Sequence, residues 1–434
     1  MTTLNAGGNG AIDPSRVDAV YRKVGWRLIP LLFVCYIAAY LDRVNVGFAK
    51  LQMQSALQFS ETVYGLGAGI FFIGYFLFEV PSNVILHKVG ARRWIARIMI
   101  TWGLLSAGTM FVTTPQAFYI LRFFLGAAEA GFFPGIILYL TYWYPAHRRG
   151  KATSLFLAAI PFAGILGGPF SGWILKTMNG INGWEGWQWL FLLQGLPTVG
   201  IGLIVLGYLD DRVRDAKWLT ADERELVARD IAAEASGKAE GGVRSVLANP
   251  RVWLLAIVYF CFTSGLYGIS FWLPSIIKAL GVNDPLNVGL LSAVPWTLGV
   301  IAMYLVARSA DRMLERRWHS AISGVVGAAG LILSVVFHGD AMMAIAGLTL
   351  ATMGIMACLP VFWGLPTAFL GGAAAAAGIA LINSIGNLSG FAAPYMIGMI
   401  KDATQSTDAG MYMLAVLLLT GAALVLAVRT AKPR

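Results

Sequence analysis

The chain has 434 residues, of which 58% are hydrophobic and only 12% charged, with a formal net charge of +10. Soluble domains carry about 25% charged residues, so this composition excludes an ordinary soluble globular protein. The positive charge lies in loops, where membrane topology explains it better than nucleic-acid binding does.

Apolar runs of about 20 residues recur along the chain, the mark of a polytopic helical membrane protein. The ten-residue alternation of a transmembrane barrel is not seen. Residues 1–20 are polar and carry no cleavable signal pattern. Twelve spans are predicted at 26–46, 61–86, 92–111, 116–143, 150–175, 187–209, 251–277, 286–308, 319–338, 341–370, 373–400 and 409–429. Cys35, Cys261 and Cys358 are scattered within these segments without metal or redox spacing, and read as packing residues. One set of loops holds Arg16, Arg22, Lys23 and Arg27, then Lys88, Arg92, Arg93 and Arg97, then Arg148, Arg149 and Lys151. The same side continues with Arg308, Arg312, Arg316 and Arg317 and ends with Arg429, Lys432 and Arg434; the alternate side has only Lys50, Lys176, Lys278 and Lys401. The positive-inside rule makes the basic side cytoplasmic and puts both termini there.

The longest polar stretch, 210–250, contains a helix start at Thr220-Ala-Asp-Glu223 and reads as a cytoplasmic linker. It divides the chain into a cytoplasmic segment 1–25, a six-helix bundle 26–209, the linker, and a second bundle with a short tail at 251–434. The halves look like repeats. Gly164-x3-Gly168-Pro169-x2-Gly172 is echoed by Gly390-x3-Pro394-x3-Gly398, with prolines 394 − 169 = 225 positions apart. The basic loop from His87 is echoed from Asp311, at 311 − 87 = 224. A duplicated unit of this kind suggests alternating access around a central site.

Charges inside the spans are the candidates for chemistry, because each costs about 2.5–3.5 kcal/mol at the bilayer centre and marks a cavity or a partner. Arg122 and Glu129 lie in the apolar run Leu121–Leu140, seven apart, and on one unbroken helix would share a face two turns from each other. Arg122 is the leading anchor for a carboxylate, through its planar fork; a helix-holding salt bridge to Asp42 or Glu129 is the alternative. Asp42 and Arg43 are adjacent in span one and point about 100° apart, so Arg43 could face an anion while Asp42 faces a proton path or Arg122. Glu129 and Asp42 are the candidates for proton coupling, since an anion engaging an arginine changes the balance that holds a buried carboxylate ionised. Glu79 reads as structural or gating, with Tyr75 one turn above it, and Tyr75 could touch substrate through its hydroxyl. In the second half Asn383 and Asn387, four apart on one face of span eleven, could bond substrate hydroxyls or make interhelical hydrogen bonds. Tyr267, Trp272 and Trp363 could line a pocket or merely pack.

Tyr40-Leu-Asp-Arg-Val-Asn45, Gly74-Tyr-Phe-Leu-Phe-Glu-Val-Pro-Ser-Asn83, Arg122 through Pro134, Gly186-Trp-Gln-Trp-Leu-Phe191, Asp215-Ala-Lys-Trp-Leu219 and Phe271-Trp-Leu-Pro274 follow one another in order. With twelve spans, a long central loop and a basic motif after spans two and eight, the chain resembles the major facilitator superfamily and, within it, the anion:cation symporter family. The resemblance implies transport of organic carboxylates such as sugar acids, tartrate, phthalate or hydroxyphenylacetate, mostly driven by protons. Arg92, Arg93, Asp311, Arg312, Arg316 and Arg317 read as cytoplasmic gate and topology residues, with a merely solvated loop as the alternative. The chain departs from the family pattern at Asn83, His87 and Gln194. The expected protein is an all-α, multi-pass transporter of the inner membrane, importing a small organic anion with protons. It needs no metal or cofactor beyond the proton gradient, and a monomer suffices. An exporter or antiporter on the same fold, and a non-transporting membrane sensor, remain the alternatives. No nucleophile–base pair, metal spacing or cofactor loop suggests an enzyme.

Overall fold

The computed structural model describes residues 14–235, 247–367 and 372–428, and the regular structure among them is helical throughout. The first half comprises α1 (Pro14–Leu57), α2 (Glu61–Val89), α3 (Ala91–Gly108), α4 (Pro115–Glu129), α5 (Phe132–Thr141), α6 (Ala146–Leu157), α7 (Ala159–Thr177) and α8 (Gly186–Tyr208). A linker helix, α9 (Ala221–Ala235), follows. The second half comprises α10 (Pro250–Ala279), α11 (Pro285–Met313), α12 (Arg317–Val336), α13 (Ala341–Thr367), α14 (Gly372–Asn387), α15 (Ser389–Thr404) and α16 (Asp408–Ala427).

Helix starts follow from local chemistry. Thr114, Asn249 and Asp284 each accept a backbone N–H with their side chain, and each is followed by a proline at the first helical position. A polar cap satisfies an orphan donor, and proline has no N–H to lose there.

Eleven helical segments among the described residues are long and apolar enough to cross a membrane. The twelfth predicted span, 373–400, is built differently: α14 and α15 are sixteen residues each and meet at Leu388. Span four also departs from the single helix expected of it. It breaks after Glu129, where Ala130 is extended in ψ and Gly131 adopts φ +84°. Span one begins earlier than expected, because α1 already starts at Pro14.

Among the described residues the halves join chiefly through α1 with α10, α2 with α15, and α7 with α11. The repeated glycine–proline pattern lies on these contact lines. A Cβ on Gly168 would meet the Gly289 carbonyl at 2.5 Å, one on Gly172 the Pro285 carbonyl at 2.4 Å, and one on Gly398 the Glu61 carbonyl at 2.4 Å. Backbone therefore rests on backbone at equivalent places in the two halves, as small residues permit between membrane helices.

The linker helix is clasped to the start of α1. Lys23 pairs with Glu223 at 2.8 Å, Arg16 with Asp222 at 3.3 Å, and Tyr21 donates to Asp230 at 3.1 Å. Lys23 and the Thr220 backbone hold the Glu223 carboxyl below its ordinary range. A depressed carboxyl contributes stability above the unfolded glutamate value of about 4.3 and loses it as pH falls through the lower folded value. Hydrogen-exchange protection factors of α9 are accordingly expected to hold from pH 7 to about 5 and to collapse below about 4. Unchanged protection at pH 3 would show that the clasp is not electrostatic.

Candidate functional site

The break after Glu129 decides where its carboxylate goes. With α4 ending there, Glu129 turns to α1 and pairs with Arg43, and the two are 1% and 9% exposed. The Arg43 guanidinium also stands over the rings of Tyr75 (5.3 Å), Phe71 (5.4 Å) and Phe72 (5.9 Å) of α2. From the other half, the Tyr267 hydroxyl of α10 lies within reach of the same guanidinium and donates to Asn387 Oδ1 of α14 at 3.0 Å. Glu129 with Arg43, and Tyr267 with Asn387, thus bring two polar pairs together where the halves meet. Glu79, half-buried one turn below Tyr75, is within electrostatic reach of Arg43. Tyr36 lines the first-half side, stacked on Phe156 at 4.5 Å.

Arg122 lies elsewhere. Its partner is neither Glu129 nor Asp42, the two considered from the sequence. It is fully buried against α2, where Nε donates to the Gly67 carbonyl at 3.2 Å and Nη2 to the Ala68 carbonyl at 3.5 Å. Its Nη1 has no hydrogen-bond partner. The close crossing of α2 and α4 puts it there: Gly126, one turn after Arg122 on the same face of α4, rests on the Phe71 backbone.

Asp42 faces away from Arg43, as the angle between adjacent helical residues requires. Its carboxylate accepts from Ser106 Oγ at 2.7 Å, Trp102 Nε1 at 2.9 Å and Thr198 Oγ1 at 3.0 Å. Three neutral donors on α3 and α8 replace water around a buried carboxylate. Sequence reasoning missed all three. Trp102 and Ser106, four apart in span three, were the available signal, but nothing local says which helix that face meets.

The remaining candidates divide. Asn383 is half-buried one turn before Asn387. Trp363 belongs to an aromatic group with Tyr259 (4.8 Å) and Phe362 (5.6 Å). Arg92 is half-buried and its backbone N–H donates to Asp211 Oδ1 at 2.8 Å, while Arg93 is exposed. Asp311 and Arg312 are exposed, and Asp311 pairs with Arg316 at 3.2 Å. Trp272 is fully buried at the far end of α10, with its indole N–H unpartnered. Asn45 emerges as a new member of the polar interior: it is 1% exposed and both amide atoms lack partners. No group of three or more metal-ligating side chains occurs among the described residues.

What this arrangement can do chemically is hold an anion. A guanidinium, a phenol hydroxyl and a carboxamide converge from two halves, with one carboxylate already occupying the guanidinium.

Compared with known proteins, residues 32–394 match the model of the Major Facilitator Superfamily. The chain is 51% identical over 428 residues to a protein of Agrobacterium vitis named as a tartrate transporter, spanning 98% of this chain and 95% of the relative. It is 47% identical over 411 residues to a protein of Pseudomonas putida named as the metabolite transport protein NicT, spanning 94% of each. In fold it is similar to the crystal structure of a bacterial homolog of the human lysosomal transporter Spinster, with a TM-score of 0.76 over 98% of this chain and 100% of that one, at 16% identity.

Proposed function

The chain belongs to the Major Facilitator Superfamily and is a transporter, not an enzyme; from that premise we propose that it imports an organic carboxylate together with protons by alternating access. The observation that carries this reading is the buried Arg43–Glu129 pair, with the Tyr267–Asn387 hydrogen bond of the second half close by.

Glu129 and a substrate carboxylate compete for one guanidinium. An arriving anion must displace Glu129, and an unpaired buried carboxylate costs several kcal/mol. A proton on Glu129 removes that cost. Arg43 is then free to bind the substrate bidentately, with Tyr267 and Asn387 donating or accepting at its hydroxyls. Arg122, fully desolvated within electrostatic reach of Glu129, keeps the protonated site net positive for the anion. Proton and substrate are therefore thermodynamically linked, each favouring the other. Asp42, held by its three donors, is the second candidate for proton carriage. Glu79, Arg92, Arg93, Asp311 and Arg312 lie toward the basic loops, in keeping with gating there. Asn383 and Trp363 contribute selectivity from the second half. No cofactor is required beyond the proton gradient.

The positive-inside rule supports a cytoplasmic side for the basic loops, and in an inner membrane an inward proton gradient would then drive import. Tartrate, named in the Agrobacterium vitis relative, heads the panel of substrates, beside sugar acids and aromatic monocarboxylates.

The test is uptake of that panel in proteoliposomes, with and without a proton gradient, in wild type and Glu129→Gln. Wild-type affinity is expected to fall about tenfold per pH unit above the titration of Glu129. Glu129→Gln, locked in the uncharged form, is expected to bind without pH dependence, to retain exchange of labelled for unlabelled substrate, and to lose uphill accumulation. Wild-type uptake indifferent to collapse of the gradient would overturn the proton-coupled reading.

A further inference from the structure

The four lysines on the face opposite the basic loops read, from the sequence, as the sparse charges of an outer surface. In the structure each of them reaches across or into the seam between the halves. Lys401, at the end of α15, pairs with Glu61 at the start of α2 at 2.6 Å. Lys176, at the end of α7, pairs with Asp284 at the start of α11 at 2.6 Å. Lys278, at the end of α10, donates to the Leu51 carbonyl of α1 at 2.9 Å. Lys50 pairs with Glu61 at 2.5 Å and stands 3.6 Å from the centroid of the Trp272 ring of the other half.

The first two pairs are mates under the internal repeat. The lysines are 401 − 176 = 225 positions apart, the displacement already seen for Pro169 and Pro394, and the acids 284 − 61 = 223, within two positions of it. In each pair an acid at a helix start meets a lysine at a helix end, the arrangement the two helix dipoles favour. The mates are unequal. The Lys176 and Asp284 side chains are 48% and 32% exposed, whereas those of Lys401 and Glu61 are 22% and 15% exposed. An ion pair in water contributes little, and shielding from water strengthens it. The Glu61 site also has more partners. Lys50 is 3% exposed and lies between the Trp272 and Tyr64 rings. The Asp402 carboxylate accepts from the Glu61 and Thr62 backbone N–H groups at 3.1 and 2.7 Å, capping α2 from the opposite half.

We propose that Glu61, Lys401, Lys50 and Asp402 form the principal latch holding this face closed, and that Lys176–Asp284 is its weak counterpart. Opening this face parts α2 from α15, so it must break the Lys401–Glu61 pair and strip the Glu61 and Thr62 N–H groups of their Asp402 acceptor, leaving only the Ser60 cap on α2. The latch therefore sets how often the transporter opens to that side. It does so whatever the substrate is, so failure of the carboxylate reading leaves it standing.

The test is the distance between spin labels on Ser55→Cys and Ala403→Cys, two exposed sites flanking the seam, in the full chain in lipid nanodiscs. The starting protein is expected to show one short distance. Glu61→Gln, which keeps the volume and removes the charge, is expected to raise the longer-distance fraction about tenfold over the closed one. Lys401→Gln should do the same from the other half, and the double variant should add little to either single one. Lys176→Gln should stay within about twofold of the starting distribution. Lys401 is the more exposed partner, so Lys401→Gln carries the test should Glu61→Gln fail to fold. Distributions unchanged in both Glu61→Gln and Lys401→Gln, or a shift in Lys176→Gln as large as theirs, would overturn the proposal.

Discussion

Arg43→Gln is expected to abolish carboxylate transport, with uptake down by more than about a hundredfold and no ligand-induced rise in Tm across the substrate panel. Two consequences of the geometry combine. The guanidinium that would hold the anion is gone, and charge-assisted bidentate contacts are among the strongest a site can make. Glu129 is also left buried without its partner, and breaking a buried pair by removing one member typically costs about 3–5 kcal/mol. The unliganded protein is therefore expected to melt lower than wild type. The double variant Arg43→Gln, Glu129→Gln separates the two effects. It removes the orphaned charge, so it should recover most of the lost Tm while transport stays absent. Recovery of transport in the double variant would mean that Arg43 serves only to neutralise Glu129. Arg43→Lys should be intermediate in stability and poor in transport, because an ammonium is a point donor and cannot reproduce the planar fork.

Gly126→Val is expected to destroy the fold rather than tune it. A Cβ at Gly126 would stand 1.9 Å from the Phe71 carbonyl oxygen, and one at Gly74 would stand 2.2 Å from that of Phe123. Both obstacles are backbone, which cannot rotate aside. The helices would have to separate, and Arg122 would lose the Gly67 and Ala68 carbonyls that satisfy it inside the membrane. Overpacking alone costs about 1–3 kcal/mol where side chains can adjust; stranding a buried guanidinium adds several more. The expected readout is loss of the monodisperse peak in size-exclusion chromatography after extraction. Gly200→Ala is the control, because nothing lies within 4 Å of a Cβ there; it should leave Tm unchanged or slightly higher, since alanine favours helix by about 1 kcal/mol over glycine. A well-behaved Gly126→Val protein would show that α2 and α4 cross less closely than described.

The span pattern was legible because a bilayer demands long apolar helices and tolerates little else. The list of interior charges was legible for the same reason: Asp42, Arg43, Glu79, Arg122 and Glu129 stand out against apolar neighbours. Their partners were not. Arg43 and Glu129 are 129 − 43 = 86 positions apart, and their meeting depends on the rotation of α1 and on a break at Ala130–Gly131. Nothing in an apolar run containing Ala-Gly announces that break, because glycine is common inside membrane helices. Arg122 and Glu129 share a helical face on paper, but the face belongs to a helix that stops at Glu129. The lysines of the sparse face could be counted from the sequence as a topological signal. That each meets the seam depends on how two six-helix units dock, a long-range fact that no local pattern contains.

The contact lines between the halves have a mechanical consequence. At Gly168, Gly172 and Gly398 the two halves touch through main chain, while at Gly164 and Gly390 of the same pattern the Trp296 and Phe72 rings of the opposite half are seated on the glycine. Such surfaces behave as bearings. One half can roll on the other at those main-chain contacts without a rotamer having to unlock, whereas the Trp296 and Phe72 rings have to shift. Resistance comes from those rings and from the charges held at the rim. A carrier built this way is expected to keep time through its rim charges as well as through the packing of its seam.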